Sequence, residues 1–134
     1  MPVSHDDPLH AGSSSTGGCS PAPREKTGAE QVVIVLSNAP DMLLAKRIAH
    51  VLVEEGHAAC VNLGAAGLSM YMWAGQLEGT EEIPLVMKTT AARVPALMDR
   101  LRALHPYEVP EMLVLPVMGG GQDYLAWVRS QTQG

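Results

Sequence analysis

Hydrophobic and polar positions change rhythm several times along the chain, and each change marks an element. Residues 32–36 (Val-Val-Ile-Val-Leu) form an unbroken apolar, largely β-branched run, the pattern of a strand covered on both faces. Asn38-Ala39-Pro40-Asp41 opens a helix, with Pro and Asp suited to its first turn. Leu44, Ile48, Val51 and Leu52 follow at helical spacing, and Gly56 is a natural stop. Residues 58–63 and 68–73 read as one long strand interrupted near Gly64 and Gly67. Turn signals over residues 75–79 lead to a return strand over residues 83–88. A second helix over about residues 92–104 sets Val94, Leu97, Leu101 and Leu104 on one face. Pro95 fits that helix only in its first turn, and Pro106 ends it by disfavouring helical geometry at His105. Residues 112–115 make a fourth strand closed by Pro116 and three glycines, and Asp123 caps a short final helix through Trp127.

The order β-α-β-β-α-β plus a terminal helix predicts an α+β, ferredoxin-like subunit. Such a subunit has an antiparallel sheet with both long helices on one face. Both faces of the first and fourth strands are apolar, yet two helices cover only one. The other face therefore calls for a further partner, and self-association is the simplest one.

Residues 1–30 differ from the rest in being rich in Ser, Gly and Pro. They are expected to be a disordered tail ahead of a single domain over residues 31–134. The tail has no apolar run of secretory-signal length, and no stretch of the chain reaches the span of a membrane helix. With 9 Lys and Arg against 14 Asp and Glu, the chain is acidic and lacks the basic stripe that nucleic acid requires. Cys19 and Cys60 stand far apart without metal-finger spacing, which points to a reducing cytoplasm. With no Phe among 134 residues, Leu, Val, Met and Ala must build the core, and the scattered methionines fill it.

Several strings share one order and spacing. They are Ala39-Pro40-Asp41, residues 58–62 (Ala-Ala-Cys-Val-Asn), Tyr71-x-Trp73-x-Gly75, Glu81-Glu82, Lys88-Thr89, residues 105–111 (His-Pro-Tyr-Glu-Val-Pro-Glu) and Tyr124-Leu125-x-Trp127. Together they resemble the CutA family of divalent-cation tolerance proteins, over about residues 31–131. The resemblance implies a tight homotrimer whose long hairpins lie along neighbouring subunits. It further implies a link to copper and other heavy metals, with no chemical reaction attached. The trimer it implies is similar to that of PII signalling proteins, which bind small effectors between subunits. Some members pair the histidine of this motif with a preceding histidine and with a cysteine ending the first strand. Here those positions are Leu104 and Ser37, which offer no strong ligand.

Candidate chemistry follows from residue types. His105 offers a neutral imidazole for copper or zinc, or caps the C-terminus of the second helix. Cys60 offers a soft thiolate, or packs as a small hydrophobe. His50 and His57 read as surface residues on and just after the first helix, and Asn62 as a partner for backbone groups. Glu81, Glu82, Glu108 and Glu111 are a possible carboxylate cluster with Lys88 as counter-charge. Tyr71, Trp73, Tyr107 and Trp127 either line an inter-subunit pocket with Lys88 or anchor the subunit contact. The expectation is a non-enzymatic trimer binding divalent metal, copper foremost, with no nucleic-acid or membrane partner. The alternative is a PII-like trimer holding a small ligand in a cleft of Tyr71, Trp73, Lys88, Tyr107, Glu108 and Glu111.

Overall fold

A computed structural model describes residues 28–133. Residues 1–27, with Cys19 and most of the expected tail, lie outside the described residues. Strand β1 (Val32–Ala39) leads through helix α1 (Met42–Glu54) to β2 (Cys60–Leu63), β3 (Gly67–Trp73) and the long β4 (Gln76–Thr90). Helix α2 (Val94–Leu104), strand β5 (Leu113–Pro116) and helix α3 (Gln122–Gln131) complete a mixed α+β fold. Every strand pairing is antiparallel, in the order β2-β4-β1-β5, and β3 pairs with the first half of β4. A 3-10 turn at Gly28–Glu30 precedes β1, and its Glu30 carbonyl accepts a hydrogen bond from Arg129.

The β-branched run takes an inner place in the sheet, between β4 and β5. Pro40 and Asp41 stand just ahead of α1 rather than inside its first turn. The Asp41 carboxylate accepts the Leu44 N–H at 2.8 Å, satisfying an amide that the helix leaves unpaired. Pro95 does occupy the first turn of α2. Asp123 is not the cap of α3; Gly121 is, and Asp123 lies in the first turn, where its charge suits the helix dipole. Val35 and Ala39 of β1 and Ile83, Leu85 and Met87 of β4 pack against Ile48 and Leu52 of α1 and Leu97 and Leu101 of α2. On the opposite face, Val32 packs with Ala59 and with Val128 of α3.

The β3–β4 hairpin turns at Ala74-Gly75, both with positive φ (54° and 79°), and Trp73 pairs with Gln76. That is a two-residue type I′ connection, matched to the twist of the strands. The return strand therefore starts at Gln76 rather than Ile83, because residues 76–82 pair with β3 instead of forming a loop. The predicted interruption near Gly64 is present. Leu63 pairs with Leu85 and Gly67 with Glu82, so residues 64–66 stand opposite residues 83–84, one more than the partner offers. Pro84 explains the position. Its carbonyl accepts the Gly64 N–H on this side of β4, and its ring nitrogen on the same side has no proton to donate.

Register assigns the sheet's second face. Ile34 and Leu36 lie there beside Val86 and Lys88 of β4, Cys60 and Asn62 of β2, and Leu113 and Leu115 of β5. α3 covers one end of this face, and Leu113 and Leu115 remain exposed.

Candidate functional site

Asn38, near the end of β1, organises a polar network. Its backbone carbonyl accepts a 2.6 Å hydrogen bond from His105, and its side-chain amide donates to Glu111 at 2.8 Å. His105 ends α2 in an extended conformation, which aims its imidazole back across the sheet. The Tyr107 backbone N–H donates to Nδ1 at 3.2 Å, so Nδ1 is the acceptor nitrogen and Nε2 carries the proton toward Asn38. Both ring nitrogens are thus engaged in an imidazole only 7% exposed, and burial holds its pKa below the ordinary value.

Glu82, only 5% exposed, accepts the Tyr107 hydroxyl at 2.9 Å. Burial and then this carboxylate push the Tyr107 phenol far above its ordinary value. The Glu111 carboxyl is raised as well, by burial first and by Glu82 second, against the Asn38 hydrogen bond. Tyr71 shares a hydrogen bond with Thr80 at 2.8 Å on the same face of the hairpin as Glu82, and Trp73 continues that face toward the turn.

The other candidates lie elsewhere. Lys88 stands at the far end of the open face, directly opposite Cys60, and donates to the Asn62 side chain. Cys60 is a free, half-buried thiol 3.8 Å from the same Asn62 oxygen. Glu108 is exposed, and Glu81 lies on the other face of the hairpin beside Leu68. Trp127 pairs with Tyr124 on α3, with ring centroids 5.6 Å apart. His57 is not a free surface residue: its ring lies between Arg93 at 3.3 Å and Glu55 at 3.4 Å. His50 is exposed, as expected, and meets Glu54.

The expected set therefore divides. Tyr107, Glu82 and Glu111 come together with His105; Lys88 and Cys60 form a second group; Glu108 joins neither. Asn38 was not singled out from the sequence, although an amide directly after a β-branched run is a signal that could have found it. Among the described residues, no three His, Cys, Asp or Glu side chains are placed to hold a metal ion. No helix among them is long and apolar enough to cross a membrane.

The family described as CutA1 divalent ion tolerance protein matches residues 33–131. The divalent-cation tolerance protein CutA of Pectobacterium atrosepticum is 43% identical over 98 residues, covering 73% of this chain and 89% of that protein. Its namesake from Thermus thermophilus is 43% identical over 99 residues, covering 74% and 96%. The crystal structure of CutA from Xylella fastidiosa has a TM-score of 0.76 at 41% identity, covering 77% of this chain and 99% of that one. The matched segment runs from β1 to the end of α3 and includes the His105–Glu111 string and its network. The chain belongs to the CutA1 divalent ion tolerance family.

Proposed function

We propose that the protein is a homotrimer of ferredoxin-like subunits that binds divalent metal ions, copper foremost, and supports tolerance of them without catalysing a reaction. The observation that carries this reading is the family match over residues 33–131. Two features support the assembly: an apolar sheet face that one chain leaves in water, and a hairpin reaching beyond the sheet. Copper is favoured because it stands highest in the divalent affinity order and accepts both imidazole and thiolate.

Cys60 and His105 are the proposed protein ligands. They stand in two separate groups of one chain, so in this reading a metal that touches both is shared between subunits. For His105 to ligate, Nδ1 gives up its 3.2 Å bond from the Tyr107 N–H. The cytoplasm is the proposed compartment, in keeping with the free thiol of Cys60; cell fractionation tests it.

Calorimetric titration of the full chain with copper(II), and then with zinc, tests the metal. Copper is expected to bind more tightly than zinc, and His105→Ala and Cys60→Ser are each expected to weaken it tenfold or more. Absence of binding by either metal overturns the metal reading in favour of the small-ligand alternative. That alternative draws support from Tyr71, Trp73 and Lys88 sharing one sheet face, with Tyr107 bonded to it.

A further inference from the structure

Among the described residues, the buried Glu82 and the half-buried Glu111 are held in place by neutral donors alone, the Tyr107 hydroxyl and the Asn38 amide. Buried carboxylates are normally matched by a cation. The ion pairs among the described residues involve Glu54, Glu55 and Asp99, and none reaches either carboxylate. Lys88 is in the opposite position: its ammonium donates to the neutral amide of Asn62, and among the described residues no acidic side chain pairs with it.

Both belong to the face that α1 and α2 leave open. Lys88 pairs with Ile34, while Asn38, which holds Glu111, pairs with Pro84 farther along the same strands. At about 3.3 Å per residue, those two levels are roughly 13 Å apart, too far for contact within one chain. The apolar side chains of Leu36, Val86 and Leu113 lie between them. The face is therefore acidic at one end, cationic at the other and apolar in the middle.

We propose that Lys88 of a neighbouring copy completes the Glu82–Glu111 carboxylate pair, so that this site is finished only in the assembly. The inference rests on the homotrimeric reading above. Each copy gives its Lys88 to one neighbour and receives the lysine of the other, a head-to-tail contact that closes a ring. The apolar middle supplies the buried area, and the charged ends set the register. The upward shift of the Glu111 carboxyl in a single chain is what an approaching ammonium would reverse.

Full-length protein with Cys19→Ser and Cys60→Ser provides the background for the test. Lys88→Cys and Glu111→Cys are made separately, unfolded and refolded together, and treated with a short bis-maleimide. A covalent dimer is expected from the mixture and from neither variant alone. A mixture that is trimeric by light scattering yet gives no mixed dimer overturns the inference while leaving the trimer standing. A monomeric parent overturns the homotrimer itself, and this inference with it. Charge reversal supplies a second readout. Lys88→Glu is expected to weaken assembly at least tenfold, and Glu111→Lys in the same chain to restore it. Assembly unaltered by Lys88→Glu overturns the proposal.

Discussion

Ser37 is only 2% exposed on the helix-facing side of β1, and its hydroxyl has no hydrogen-bond partner among the described residues. A buried polar group left unpaired costs about 1–3 kcal/mol. Ser37→Ala removes the hydroxyl with little change of volume, so stability should rise by about 1 kcal/mol. A urea midpoint that stays put or falls would show that the hydroxyl finds a partner in solution. His105 presents the reverse case, a buried polar group with both nitrogens paired. Its folded pKa lies below the ordinary 6.5, so the unfolded chain binds the proton more readily. The stability of burying it neutral is therefore complete above pH 6.5 and is lost as pH falls through the lower folded value. His105→Asn should flatten that acid-side loss in urea titrations run with a chelator; an unchanged slope would remove His105 as its source. The sequence made one half of this residue legible. Pro106 marks His105 as the end of a helix, but its partner carbonyl is 67 residues away, and no local pattern announces it. Glu81 and Glu82 likewise look alike in the sequence. Only the pairing of β4 decides that Glu82 meets Tyr107 while Glu81 faces water.

The elements were legible where period and punctuation agreed, as in β1, α1 and α2. They were less so in the hairpin. Gly75 and Gly79 both read as turn signals, yet only Gly75 turns the chain, and Gly79 is an ordinary strand position opposite Met70. Ala74 carries a positive φ of 54°, a conformation that costs most side chains roughly 1–2 kcal/mol and Asn less. Ala74→Asn should accordingly stabilise the hairpin by up to about 1 kcal/mol, seen as a higher melting temperature. A lower one would show that the alanine methyl has a partner. The strand interruption is set sterically as well as by Pro84's missing N–H. A Cβ on Gly64 would stand 2.7 Å from the Pro84 ring, whereas one on Gly67 meets nothing within 4 Å. Gly64→Ala should therefore cost about 1–3 kcal/mol, with Gly67→Ala costing distinctly less. Equal losses in the two variants would mean that the ring moves aside.

At the scale of the whole molecule, the described residues keep more apolar surface in water than a self-sufficient subunit needs. Residues 32–36 and 112–115 already implied this, being apolar on both strand faces where helices cover one. The hairpin's contribution was less plain, because only the pairing across the Ala74-Gly75 turn brings Leu77 onto the face of Leu68, Met70 and Met72. Leu68, Met70 and Met72 of β3 and Leu77 of β4 line one face of the hairpin, each between 61% and 65% exposed. In the proposed trimer, an apolar stripe of this kind on a projecting ribbon is expected to be a contact surface. None of these four belongs to the buried clusters, so charging them leaves the packing of one subunit untouched. Met70→Lys together with Met72→Lys should convert the proposed trimer to monomer at micromolar concentration by light scattering, with the circular dichroism spectrum retained. Lysines there would have to lose their hydration against a neighbour, a cost that a monomer avoids. A doubly substituted protein that stays trimeric would show that the stripe faces solvent in the assembly, and would leave the open sheet face as the sole subunit contact.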